Sequence, residues 1–391
     1  MVLTGLDQIR INLPHKLAGK RIGILCHAAS VAGDFTHITK IFAGRKDCRM
    51  TAIYGPQHGL YGQTQDNMIE WQSTKHPYYG VPLYSLYGEL RKPSREMLGD
   101  IDAFVVDLQD VGARLYTYIW TVKLCMEACS ETGIPVWILD RPNPVGRLPF
   151  DGPVLKKEYF TFVGGASIPL CHRMTMGEMS VWIKEKYVPG CDLNLVRMKG
   201  WQRNSLFNET GLPWVLPSPN IPTLQTAVVY PGTVLFEALN LSEGRGTSIP
   251  FELIGAPFID AVRLKKNLDS RNIPGCIFRI HDFIPTFNKF AGKLCHGLQI
   301  HVTEPEKYYP VATAYEIIHA ILETSSRDSL HFNPPPYEYE YRLMPFDILS
   351  GDSVMRESLL SRTPLRKERL RWDAEIEEFS KDFRQIKFYD E

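Results

Sequence analysis

Residues 101–118 read IDAFVVDLQDVGARLYTY, and this stretch decides the fold. It opens on the apolar run Ala103-Phe104-Val105-Val106. A short apolar run bounded by turn signals is the pattern of a buried parallel strand. The run breaks into Asp107, Leu108, Gln109 and Asp110, turns at Gly112, and predicts a restart as a helix carrying Arg114. In open α/β sheets, ligands bind outside the carboxyl ends of such strands. A cap on the following helix would account for Asp110 or Gln109 alone. Two carboxylates, an amide and an arginine at one strand end favour a site.

Working outward, 21–26 (RIGILC), 50–54 (MTAIY) and 135–139 (PVWIL) read as further strands of the same kind. Between the last two of the four strands, Leu115, Tyr118, Ile119, Val122 and Met126 recur at helical spacing, and Gly133 ends the helix. Alternating strands and helices mean βαβ units and a parallel sheet. The strand ends place His27, Gln57, His58, Asp107, Asp110, Asp140 and Asn143 along one rim. A helix over 174–186, with Thr175 or a neighbour as cap and Glu178 in its first turn, and a strand over 193–197 follow. Residues 212–223 (LPWVLPSPNIPT) hold four prolines, which block helix and ladder alike, and read as an ordered crossover. The boundary is drawn there: a Rossmann-like α/β domain over 1–225, then a smaller α+β domain over 226–391. The second domain is expected to have β-type runs at 226–230, 276–280 and 298–302. The Tyr- and Pro-rich 333–341 reads as a surface excursion, and 368–383 as a charged amphipathic helix.

Lys+Arg and Asp+Glu are both 44, so the net charge is zero and no basic excess points to nucleic acid or an anionic membrane surface. No stretch approaches the roughly 18 apolar residues of a membrane helix, and the N-terminus lacks a signal-peptide pattern. The eight cysteines form no C-x-x-C and no zinc spacing. That usage fits a reducing compartment, and a cytoplasmic location is expected unless an export signal has been removed. Oligomeric state is left open.

No G-x-G-x-x-G follows a strand and no GxxxxGK[ST] occurs, so a nucleotide site is not expected. Gly55-Pro-Gln-His-Gly59 sets His58 and an amide on a strand-end loop, where His58 could be acid, base, donor or simply bonded to its own backbone. Residues 65–71 (QDNMIEW) pack Asp66, Asn67, Glu70 and Trp71 together, which suits a sugar stacked on an aromatic face or an acidic helix start. Asp140-Arg-Pro-Asn-Pro144 fixes Arg141 and Asn143 between prolines; Arg141 could pair with Asp107 or Asp110, or face an anionic ligand. In 240–247 (NLSEGRGT), glycines flank Arg245 and follow Glu243, a loop able to push either side chain into a cleft or to pair them in a turn.

Taken together the motifs resemble a known family. GPQHG, VPLYSLYG, VVDLQDVGARLYTY, LDRPNPVGR, DGPVL, PLCHRMTMGE, TGLPWVLPSPNIPT, YPGTVLFEALNLSEGRGT and HGLQIHVT follow one another from about residue 20 to 310. This order is similar to that of the NamZ-type exo-β-N-acetylmuramidases, glycoside hydrolases once known only as a domain of unknown function. The resemblance implies a Rossmann-like first domain, a smaller second domain and a cleft between them. It implies release of N-acetylmuramic acid from the non-reducing ends of peptidoglycan fragments, with a carbohydrate substrate and no metal or cofactor. One departure stands out. The family's usual loop reads GPEHG, and Gln57 replaces the carboxylate; an amide cannot give and recover a proton.

Glycoside hydrolysis ordinarily uses two carboxyl groups, or one with the substrate's own acetamido oxygen. Under the resemblance, Glu243 is the expected acid/base. Asp110 is its partner or orients His58 or a water, and Glu70 is a further candidate acid. Gln57, Asp107, Arg114, Tyr116, Asp140, Arg141, Asn143, Asn220 and Arg245 are the expected substrate contacts, the arginines as clamps for the lactyl carboxylate. Hydrolysis of another amino sugar, or binding of a peptidoglycan fragment without cleavage, remains the alternative.

Overall fold

A computed structural model of the chain describes residues 2–65, 69–326 and 329–390. The first half carries β1 (Arg21–Cys26), β2 (Arg49–Gly55), β3 (Thr74–Lys75), β4 (Pro82–Ser85), β5 (Ala103–Asp107), β6 (Val136–Leu139), β7 (Asp151–Val154), β8 (Pro169–Cys171) and β9 (Leu193–Val196). Among the described residues, seven of these form one sheet in the order β3-β4-β2-β1-β5-β6-β9. All its pairings are parallel except that of the two-residue edge strand β3. Strands covered on both faces need continuous apolar runs rather than alternation, and β5 and β6 are buried at every residue. The strand order reverses between β1 and β5, the kind of switch point at which such sheets leave a crevice.

The helix Tyr118–Thr132 follows β5 and ends at Gly133, whose φ of +70° accepts the left-handed cap that a side chain would resist. It starts later than expected, and Arg114 is not on it. Residues 112–114 pair instead with β8, through His172 N–H to the Gly112 carbonyl (2.9 Å) and Arg114 N–H to the Leu170 carbonyl (2.8 Å). Gly112 makes this possible: its φ is +75°, and a Cβ there would lie 2.1 Å from Val145 Cγ2. The helix Met176–Lys186 begins where Thr175 and Glu178 form a capping box, as the sequence signalled.

The second half carries β10 (Leu253–Ala256), β11 (Cys276–Ile280) and β12 (His296–Val302) in the antiparallel order β10-β12-β11. The expected strand at 226–230 is a helix, Leu224–Thr233. Thr223 caps it, accepting from Thr226 N–H, and its residues from Thr226 to Thr233 are buried. A short apolar run buried all round carries no period, so helix and strand cannot be told apart from it. The helix Pro310–Thr324 crosses it so closely that a Cβ on Gly232 would meet the Pro310 carbonyl oxygen at 1.9 Å.

One apolar cluster runs from Leu25 in β1 through Val106 to Ile300 in β12 and Trp372, so the two halves share a core. The last helix, Leu365–Ile386, folds back on the first half. Phe379 and Phe383 stand edge-on to Phe150, with ring centroids at 5.7 and 5.2 Å. Burying one such ring contributes about 1.5–3 kcal/mol. The exposed Lys186–Asp382 pair on the same interface contributes about 0–1 kcal/mol. Aromatic burial therefore holds this helix.

Candidate active site

The parallel sheet brings the expected rim together, but the crevice at its switch point is filled. The Pro-rich crossover lies over it, and the Pro217 carbonyl accepts from Tyr118 Oη (2.7 Å) and from His27 Nδ1 (3.0 Å). The Nε2 of His27 accepts from Gln109 N–H (3.0 Å), which fixes the tautomer. Burial lowers the His27 pKa to about 3, so the ring stays neutral and structural.

With the crevice closed, the rim groups near it turn inward. Arg141 and Asp107 form a buried two-pronged pair, Nε–Oδ1 2.5 Å and Nη2–Oδ2 2.7 Å. Asp140 accepts from Thr175 Oγ1 (2.8 Å), Gly177 N–H (2.8 Å) and Tyr389 Oη (2.7 Å), and so anchors the start of the helix Met176–Lys186. Asn143 donates to the carbonyls of His172 and Met174 and accepts from Val145 N–H. Asp110 accepts from Gly112 N–H (2.8 Å) and lies 3.5 Å from His172 Nε2, and burial pushes its pKa up to about 7. Arg114 is wholly buried; its Nη1 donates to the carbonyls of Pro153 and Ile168 and its Nη2 to those of Leu349 and Ser350, at 2.9–3.0 Å. Its guanidinium is spent on carbonyls of both halves, and the expectation of an anion clamp there is corrected. The carboxylates of Asp107 and Asp140 and the amide of Asn143 likewise bond to neighbouring loops, while Arg141 also lines a small separate depression with Gln109 and Phe207.

The open pocket lies beside the filled crevice, between the halves. The first half lines it with Gln57, His58, Tyr116 to Tyr118, Ser218 and Asn220, and the second with Tyr230, Glu237, Arg245, Phe251, Tyr337 and Glu338. Tyr116, Tyr230 and Phe251 make an aromatic wall of edge-to-face pairs, Tyr116–Tyr230 at 5.9 Å and Tyr230–Phe251 at 4.8 Å. Asn220 Nδ2 donates to the Gln65 carbonyl (2.8 Å). His58 sits at φ +70° with Nδ1 donating to the Thr64 carbonyl (2.7 Å).

Glu243 does not line this pocket. It is buried, 3.0 Å from Arg245 Nη1 and 2.9 Å from Lys289 Nζ. Burial would raise its pKa, but Lys289 and Arg245 outweigh burial and hold the carboxyl below its usual range. A carboxylate locked between two cations is a poor proton donor, so the expectation of Glu243 as acid is corrected by its partners. Glu70 is exposed and accepts from Tyr339 Oη (3.0 Å) beside a separate depression shared with Trp71. Asp66 and Asn67 lie outside the described residues.

The pocket's carboxylates are Glu237 and Glu338, neither singled out by the sequence. Glu237 is 2.8 Å from Arg245 Nη1 and accepts from Tyr337 Oη (2.7 Å). Glu338 accepts from Tyr87 Oη (3.1 Å). Burial raises its pKa to about 7; the Tyr87 bond works against that shift. Within the segment 333–341, Tyr337 and Glu338 line the pocket, while Pro334, Pro336 and Tyr341 are exposed as a surface excursion would have them. Its signal was available: three prolines, 334–336, followed by the alternation Tyr337-Glu338-Tyr339-Glu340-Tyr341.

Two carboxylates set among tyrosines and amides, where a parallel sheet meets a smaller domain, are the groups an α/β glycosidase uses. The chain belongs to the exo-β-N-acetylmuramidase NamZ family: the family's N-terminal model matches residues 22–225 and its C-terminal model residues 228–389. It is 40% identical to the peptidoglycan β-N-acetylmuramidase NamZ of Bacillus subtilis strain 168, over 99% of this chain and 91% of that protein. Two crystal structures of DUF1343 family proteins from Bacteroides fragilis NCTC 9343 are similar throughout. One superposes with a TM-score of 0.89 at 30% identity, the other with 0.78 at 28%; each comparison covers 100% of this chain and 99% of the other.

Proposed function

We propose that the pocket between the halves receives the terminal N-acetylmuramic acid of a peptidoglycan fragment and that its β-glycosidic bond is hydrolysed there. The observation that carries this is the pairing of Glu237 and Glu338 in one pocket of a chain from this family. The reaction needs a proton on the leaving oxygen, and at the anomeric carbon a second carboxylate or the sugar's own acetamido oxygen. A carboxyl group with a raised pKa beside a second carboxylate is a usual arrangement for such work. The wall of Tyr116, Tyr230 and Phe251 suits the apolar face of a pyranose, and Gln57, Ser218 and Asn220 suit its hydroxyls and acetamide. Arg245 already faces Glu237 and Glu243, so its task is to hold Glu237 in place rather than to clamp a lactyl group. Glu243 and Lys289 support Arg245 from behind.

Eight buried cysteines without disulfides suit a reducing compartment, and we place the reaction in the cytoplasm on that ground. Incubation with a chromogenic N-acetylmuramide and its N-acetylglucosaminide counterpart tests the function. Release from the muramide, with little from the glucosaminide, is expected. Release from the glucosaminide alone would make this a hydrolase of a different amino sugar, and binding without release from either would make it a peptidoglycan-fragment receptor.

A further inference from the structure

We propose that Glu338 is the proton donor of this enzyme and that Gln57, through Tyr87, positions it. The inference rests on the hydrolase reading above and deepens it. The amide at position 57 lines the pocket and is hydrogen-bonded on both sides. Gln57 Oε1 accepts from Thr117 Oγ1 (2.7 Å), which turns Nε2 toward Tyr87 Oη (3.2 Å). Tyr87 Oη, so supplied with a hydrogen, passes its own to Glu338 Oε2 (3.1 Å). Gln57 on one wall is thus linked by one phenol to a carboxyl group on the opposite wall.

Three further observations place Glu338 in the chemistry. It is 4% exposed and lines the pocket. It and Tyr339 both take positive φ, +45° and +67°, a conformation that costs side-chain-bearing residues energy. The groups that act on it are Tyr87 and Arg91 from the first half and Glu237 and Arg245 from the second. Burial and Glu237 favour the protonated acid, while Tyr87, Arg91 and Arg245 oppose it; burial is the largest effect and wins.

In the step, the Glu338 carboxyl proton moves to the glycosidic oxygen as the bond from that oxygen to the anomeric carbon breaks. The electron pair stays with the leaving sugar, which departs as a neutral alcohol. Water then bonds to the anomeric carbon and its proton returns to the Glu338 carboxylate. Whether the acetamido oxygen meets the anomeric carbon before water leaves this balance unchanged. A general acid of this kind contributes about 10²–10⁴-fold.

The test compares a muramic-acid-terminated disaccharide, whose leaving group needs the proton, with an aryl muramide, whose leaving group scarcely does. For Glu338→Gln, kcat on the disaccharide is expected to fall about 10²–10⁴-fold, with a much smaller loss on the aryl substrate. The alkaline limb of the wild-type kcat/KM profile, expected near pH 7, should disappear with it. Tyr87→Phe keeps the carboxyl group and removes a bond that favours its ionised form, so the limb should move to higher pH in a folded enzyme. Equal losses of Glu338→Gln on both substrates, or an alkaline limb unmoved in Tyr87→Phe, would overturn the assignment while leaving the hydrolase reading intact. A wild-type protein that cleaves neither substrate would remove that reading and this one together.

Discussion

Replacing Arg114 by methionine is expected to abolish the folded protein. The substitution keeps a long apolar stem and removes the head that joins Pro153, Ile168, Leu349 and Ser350. A buried acceptor left without its donor costs roughly 1–3 kcal/mol. The Ile168 carbonyl keeps Leu155 N–H (3.2 Å), so at most three are stranded, still a large part of the net stability of a domain, about 5–15 kcal/mol. Part is returned, because the guanidinium's own desolvation disappears with it. That desolvation is large, since burial lowers the Arg114 pKa to about 9. The four carbonyls belong to both halves of the chain, so neither half can relax without moving the other. Arg114→Lys should fare little better, because an ammonium cannot present a planar fork to carbonyls on two sides. Soluble yield and the urea midpoint measure this. An Arg114→Met protein that unfolds at the wild-type midpoint would show that the cradle contributes nothing.

Arg245→Met should lose activity on every muramide and lower stability by about 3–5 kcal/mol, the usual penalty for stranding a buried charge. Arg245 stands between Glu237 and Glu243 and lies over the Phe251 ring at 4.8 Å. Glu243 keeps Lys289, which also donates to the Phe236 and Leu241 carbonyls. Glu237 loses its cation, and the damage falls on the pocket. The defect has a pH signature. A buried Glu237 without its cation can neutralise itself by taking up a proton, so the folded variant binds more protons than its unfolded chain and its stability deficit shrinks as pH falls. Thermal midpoints of variant and wild type at pH 5 and pH 8 should converge at the acid end. A constant difference would argue against stranded charge. The activity loss should be alike on disaccharide and aryl substrates, which separates Arg245 from Glu338.

The sheet was legible because its strands are unbroken apolar runs, and the strand-end rim followed from them. What misled was the next step, from polar residue at a strand end to ligand contact. Asp107, Asp140, Arg141 and Asn143 stand where α/β proteins bind ligands, but the Pro217 carbonyl and the crossover that carries it occupy the crevice, and no local pattern announces a long-range contact of that kind. Arg114 follows the same logic: an arginine beside a strand end reads as a clamp until the carbonyls of residues 349 and 350, far along the chain, are found in its reach. Glu243 and Arg245 were seen as a pair able to enter a cleft, and half of that holds, since Arg245 lines the pocket while Glu243 backs it. The helix Leu224–Thr233 was hidden by its β-branched residues, and Glu338 by the expectation that a Tyr- and Pro-rich tract stays at the surface.

The direction of the bonds around Tyr87 carries a consequence for how such a site can change. An amide at position 57 has a hydrogen to give, which leaves the phenol's single hydrogen for Glu338. A carboxylate there has none to give and would compete for that same hydrogen, besides adding like charge beside Glu338. Gln57→Glu should therefore raise the Glu338 pKa and move the alkaline limb of the profile to higher pH, as Tyr87→Phe does, and an unmoved limb would refute the account.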